Sequence, residues 1–280
     1  MIVTSVQTSC APNRLSRRRF LRRSAALISA ASIARGPARG QEVIQLYNGK
    51  DLTGLYAWLR KSRYEDPLKV FTVQDGMIRI SGDDFGYLAT RQEYSDYHLT
   101  VEYKWGSQTN ASKTVRNSGI LLHAIGPDGN RSPWMSSIEC QLAQGCVGDL
   151  IVIRGKAEDG APIPVTITSD TEIGPDGRTR WKKGGARTIY SGRQFWWSQH
   201  DPEFKELIDT RGRFDVESPL GEWTRVECIC VKDRITIVVN GVTVNECYDV
   251  FPRAGKILLE AEGFEILFRK FELRPLAKPG

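Results

Sequence analysis

The stretch "RITIVVNGVTVNE", residues 234–246, decides the fold. Two runs rich in β-branched residues flank Asn240-Gly241, a dipeptide whose residues both suit the positive φ of a two-residue hairpin turn. Working outward, the same short rhythm recurs. "KVFTVQDGMIRISG" (69–82) reads as two strands around Asp75-Gly76. "HLTVEYKW" (98–105) alternates Leu99, Val101 and Tyr103 against His98, Thr100, Glu102 and Lys104. "NSGILLHA" (117–124), "SIECQL" (137–142), "WTRVECICV" (223–231), "KILLEAEG" (256–263) and "EILFRKFEL" (265–273) supply further strands. No segment carries a convincing amphipathic helix. Many short strands separated by Gly, Pro, Asp and Asn predict an all-β sandwich or barrel.

Two parts of the chain break this rhythm. The first is the N-terminus, where "SRRRFLRRSAALISAASIA" sets a basic run before a weakly apolar stretch and small residues. That is the layout of an export signal, too short in apolar residues to remain as a membrane span. Arg17 and Arg18 followed by Phe20 and Leu21 resemble the twin-arginine class. The alternative is a basic arm; export is the reading adopted, with residues 1–40 as the signal and a periplasmic or cell-surface destination. Those residues hold eight of the 39 basic residues and no acid, so the mature chain has 31 bases against 33 acids. The overall charge of +6 therefore comes from the signal, and a nucleic-acid partner is not expected. The second break runs from about 156 to 221, a polar segment with "DGRTRWKKGGAR" and "GRQFWWSQHDPEF". So long a weakly patterned stretch reads as an insertion with a function. Residues 41–280 otherwise form a single domain.

The five cysteines of the mature chain, Cys140, Cys146, Cys228, Cys230 and Cys247, have neither disulfide-framework nor zinc-knuckle spacing. Most read as small buried thiols, although one or two bridges are open to an exported protein.

Alternation nominates the site. In "NSGILLH", Asn117, Gly119, Leu121 and His123 share one face, and a ligand ring could approach the backbone at Gly119. In "IECQL", Glu139 and Gln141 share a face opposite Ile138, Cys140 and Leu142. Each of these two strands thus has an apolar face for the core and a polar one for a groove. Glu139 and His123 are the candidates for acid–base work, and a divalent cation, if one is used, would take the same pair. Asn117 and Gln141 would orient ligand oxygens, and Glu260 or Glu262 could supply a second acid. From the insertion, Trp196, Trp197 and His200 could contact a ligand ring. The alternatives are a surface histidine, a solvated strand face at Glu139 and Gln141, and an "FWW" that anchors the insertion. Trp223 reads as a core aromatic.

Taken in order, "LYNGKDLTG" (46–54), "NSGILLH" (117–123), "IECQLAQGCVGD" (138–149), "GEWTRVE" (221–227), "VNGVTVNE" (239–246) and "GKILLEAEGFEILFRKFELRPL" (255–276) resemble the 3-keto-disaccharide hydrolase domain. The resemblance covers about 44–276, less closely in the insertion. It implies a concanavalin-like jelly roll of two antiparallel sheets, and action on sugars oxidised at C3 by hydrolysis or by elimination and hydration. Three positions depart from the family's pattern: Thr224 for an Asn, Glu260 for a Gln and Lys270 for an Asn. Glu260 adds a carboxylate. Two other functions fit this architecture: a carbohydrate-binding module without catalysis, and a conventional glycosidase with a carboxylate pair.

Overall fold

The computed structural model describes residues 42–109, 114–130 and 133–276. The export signal expected over residues 1–40 lies outside them. The described residues form seventeen strands and no helix. Both expected turns are present. Asp75 (φ 50°) and Gly76 (φ 74°) join β3 (Phe71–Gln74) to β4 (Met77–Ile80), and Asn240 (φ 47°) and Gly241 (φ 83°) join β14 (Arg234–Val239) to β15 (Val242–Phe251). Positive φ at both central residues matches the right-handed twist of the strands they connect.

The smaller sheet has six strands in the order β2 (Leu55–Leu59), β5 (Gly86–Thr90), β16 (Lys256–Ala261), β7 (Gly119–Ile125), β8 (Ser136–Gln141) and β9 (Leu150–Ile153). The larger runs β11 (Thr179–Trp181), β10 (Thr166–Ile173), β15, β14, β13 (Thr224–Val231), β6 (Tyr97–Thr109), β17 (Phe264–Pro275), β4 and β3. Two further strands attach to it, β1 (Ile44–Gln45) on β17 and β12 (Ala186–Ile189) on β10. All pairings are antiparallel, and the chain crosses repeatedly between the sheets, as a jelly roll does.

The core lies between the sheets. Ile120, Leu122, Ile138, Cys140 and Leu259 of the smaller sheet share one apolar cluster with Leu99, Val101, Tyr103, Val226, Cys228, Ile237 and Phe268 of the larger. The alternation in "HLTVEYKW" and "IECQL" is thus realised, with Cys140 inward. The five described cysteines are buried free thiols. A second cluster covers part of the opposite face of the smaller sheet, where Trp134 and Met135 join Leu121, Leu258, Trp58 and Tyr87.

The insertion is less loop-like than its composition implies. Its first half forms β10, β11 and β12, which extend the larger sheet past β15. "TITSDTEI" supplies β10 because Thr residues suit a pleated edge. Trp223 is half-buried outside the core, with Lys104 and Arg269 at 4.9 and 4.5 Å from its ring centroid. Those cations, contributed by neighbouring strands, explain the correction.

Candidate active site

Gly119 is the centre of the site. A Cβ there would lie 2.4 Å from Oε2 of Glu260 and 2.8 Å from Oε1 of Glu139. The space read from sequence as room for a ligand ring is filled by two carboxylates that face each other over the glycine. Register brings them together. Gly119 pairs with Gln141 and Leu121 with Glu139 across β7 and β8, while Leu259 of β16 pairs with Ile120. Glu139, Gln141, Gly119 and Glu260 therefore share the face turned away from the core.

Glu139 is 5% exposed and Glu260 1%. Burial raises both carboxyls well above the ordinary range; the charges of Glu262 and Asp149 add to this at Glu139, and those of Glu139 and Glu262 at Glu260. Glu262, half-buried beside them, is pushed by burial up to about 7. No cation among the described residues contributes to holding any of the three charged. Both oxygens of Glu260, Oε2 of Glu262 and Oδ1 of Asn117 are buried without a hydrogen-bond partner. Buried acceptors are ordinarily satisfied, so this cluster calls for protons or a ligand that donates to it. Gln141 is half-buried on the same face, its Oε1 accepting from the Leu142 amide at 3.1 Å. Asn117, also half-buried, stands two residues before Gly119.

His123 is not part of this group. Register shifts between Leu122 and Ile125 on one side and between Lys256 and Leu258 on the other mark a bulge, and His123 adopts φ 52° within it. The bulge ends the simple alternation. Its ring packs edge-on against Tyr97 of the larger sheet at 5.7 Å, and Nδ1 donates to the Pro252 carbonyl at 2.9 Å. Burial lowers its pKa to about 4. The expected pairing of Glu139 with His123, for catalysis or for a metal, is thus corrected. Among the described residues no group of three His, Cys, Asp or Glu side chains is disposed to hold a metal ion.

The aromatic residues of the insertion turn largely inward. Trp197 is buried, its indole donating to the Gly145 carbonyl and its amide to Asp149. His200 is 1% exposed, donating from Nδ1 to Gly145 and accepting from Arg178 at Nε2. Trp196 is half-buried between that histidine and the Arg178 guanidinium, which stands 4.0 Å from its ring centroid. Trp197 and His200 therefore anchor the insertion and present no free platform. The anchoring acid, Asp149, escaped the sequence reading. Its signal there is a carboxylate at the threshold of the apolar strand "LIVI".

Several solved structures with carbohydrate-related descriptions are similar to the chain. A Parabacteroides distasonis protein assigned as a glycosyl hydrolase is 18% identical, with 84% of this chain and 94% of that one covered and a TM-score of 0.49. A Bacillus licheniformis β-glucanase is 11% identical over 84% of this chain and 98% of that one, with a TM-score of 0.42. The carbohydrate-binding module CBM66 of Bacillus subtilis is 8% identical over 79% and 96%, with a TM-score of 0.41. No curated protein matches the chain. A family model does, along residues 42–274, nearly the whole of the described chain: the protein belongs to the 3-keto-alpha-glucoside-1,2-lyase-like domain family.

Proposed function

We propose that this is an exported enzyme that cleaves 3-keto-glycosides at C1 by base-assisted elimination followed by hydration. One observation carries the reading: the buried carboxylates of Glu139 and Glu260 meet over Gly119, both oxygens of Glu260 lack a hydrogen-bond partner, and no cation among the described residues offsets the pair. Such a cluster binds protons more tightly than water-exposed glutamates do, so an ionised and a protonated carboxyl can coexist near neutrality. The chemistry needs that combination. A C3 carbonyl acidifies the proton on C2. Glu139 as carboxylate removes it, the C1–O bond breaks, and a C1=C2 double bond forms. Glu260 in its protonated form supplies the proton to the departing oxygen. Water then adds across the double bond, which completes a net hydrolysis. Glu262, at the more open side with a pKa near 7, restores protons from solvent. Asn117 and Gln141 are placed to orient the sugar's oxygens.

A second reading has its own support, because two facing carboxylates also suit a conventional retaining glycosidase. Incubation with a 3-keto-disaccharide and with its unoxidised parent separates the two, products being followed by NMR. Cleavage confined to the keto sugar supports the proposal. Equal cleavage of the parent favours the conventional pair. Binding of either sugar without any product defeats both and leaves a binding module.

A further inference from the structure

On the same face of the smaller sheet, but beyond Trp134 and Met135, lies a cavity of about 480 Å³ lined by Tyr56, Ala57, Tyr64, Arg91 and Lys256. It is separate from the carboxylates. Lys256 and Glu260 are four residues apart on β16, which is about 13 Å along a strand, and the Trp134 and Met135 side chains pack on Leu121 and Leu258 in the second cluster. We propose that this cavity binds an acidic sugar, a pyranose that carries a carboxylate.

Three observations define the ligand. The first is positive charge outside any direct ion pair. Lys256 donates from Nζ to the Tyr56 hydroxyl at 2.8 Å and Arg91 lies over the Tyr56 ring at 5.8 Å, yet among the described residues neither forms an ion pair with a carboxylate. The second is that the neighbouring acid is already engaged. Asp128 accepts from the hydroxyls of Tyr56 at 2.7 Å, Tyr64 at 3.0 Å and Tyr87 at 2.6 Å. It thereby locks Tyr56 as a donor to itself and leaves that hydroxyl's lone pair for Lys256. Both cations line the cavity, and a guanidinium with an ammonium suits a carboxylate. The third is the aromatic wall. Tyr64 is 63% exposed with its ring 6.4 Å from that of Tyr56, so an apolar sugar face has a surface to lie on. A cavity of this volume falls within the range for small ligands.

This inference does not rest on the reaction proposed above, and its test is a binding measurement. Isothermal titration of the full chain with glucuronate, glucose and inorganic phosphate separates sugar, charge and their combination. Glucuronate is expected to bind at least about tenfold more tightly than either, the equivalent of one charge-assisted contact. Arg91→Gln and Tyr64→Ala, both at exposed positions, are each expected to weaken it about tenfold. Glu139→Gln is expected to leave it unchanged, so failure here and failure of the catalytic reading are distinct results. Equal binding of glucose, equal binding of phosphate, or wild-type affinity in an Arg91→Gln, Lys256→Met double variant would each overturn the proposal.

Discussion

Two sets of buried acids in this protein share one electrostatic symptom and differ in everything that decides their use. Glu217 and Asp149 are buried, and burial raises both, Glu217 to about 8. Each is nevertheless satisfied. Oε1 of Glu217 accepts from the Tyr103 hydroxyl at 2.7 Å and the Trp105 indole at 2.6 Å. Asp149 accepts from the Trp197 amide and from Nε2 of Gln194, both at 2.7 Å. Around Gly119 the same burial comes with no donors at Glu260. A raised pKa therefore marks burial. The missing partner is what marks a place kept for something else.

The largest effect that can break this contrast is on turnover. Glu139→Gln preserves size and removes the base, so kcat on a 3-keto-glycoside should fall by about 10²–10⁴-fold, the usual contribution of a general base. Binding of the sugar should persist. Wild-type kcat in this variant would remove Glu139 from the chemistry and return the cluster to the structural class. The matching test in the satisfied set is Glu217→Ala. It strands the Tyr103 and Trp105 donors, at about 1–3 kcal/mol each, so thermal unfolding should move down by several degrees while kcat stays near wild type. A kcat loss as large as that of Glu139→Gln would erase the distinction between the two sets.

The pH dependence of stability sharpens the comparison at smaller scale. Glu139, Glu260 and Glu262 are raised in the folded state above the ordinary value of 4.5. The folded protein thus holds their protons more tightly than the unfolded chain does. Their contribution is fully present below that ordinary value and is lost as pH rises, through about 7 for Glu262. Glu260→Gln removes one acid and supplies an amide donor where none exists. Its Tm should exceed that of wild type above neutrality, and the difference should shrink as pH falls. Parallel Tm curves for the two proteins would show that Glu260 is not held in the raised state argued for it.

How much of this was legible in the residues differs element by element. The hairpins at Asp75-Gly76 and Asn240-Gly241 were, because their turn chemistry is local. So was the inward Cys140 with the outward Glu139 and Gln141, since alternation within one unbroken strand needs no partner. The meeting of Glu139 with Glu260 was not. Their strands are far apart in sequence and are brought together by β7 between them, and pairing register is a property of the assembled sheet. Both were named as acids; their closure over Gly119 was beyond the pattern. The strands of the insertion were hidden for a related reason, as β10 is polar and is defined by the edge of β15 that it meets. Trp197 and His200 show a third limit. An aromatic in a loop looks the same in sequence whether it faces a sugar or anchors the loop, and their hydrogen bonds to Gly145 settle which.

His123 offers the smallest expected effect on catalysis. Sequence alternation set it on the face of Gly119, and one extra residue in the bulge turned it toward Tyr97 instead. His123→Asn keeps a residue type that tolerates the φ of 52° found there. If the ring is only packing, kcat should change by less than about twofold, well short of the effect of a general base or acid. Its pH–rate profile should keep the wild-type limbs. The ring's mark should appear in stability. Its pKa is depressed by burial from 6.5 to about 4, so the neutral form is favoured by folding, and that contribution is fully present above 6.5 and lost as pH falls through about 4. The asparagine variant should therefore be less stable than wild type at neutral pH, and the gap should narrow as the solution is acidified across that window. A tenfold fall in kcat, or the loss of one limb of the rate profile, would put His123 back beside Glu139 and would mean that the bulge opens in the working enzyme.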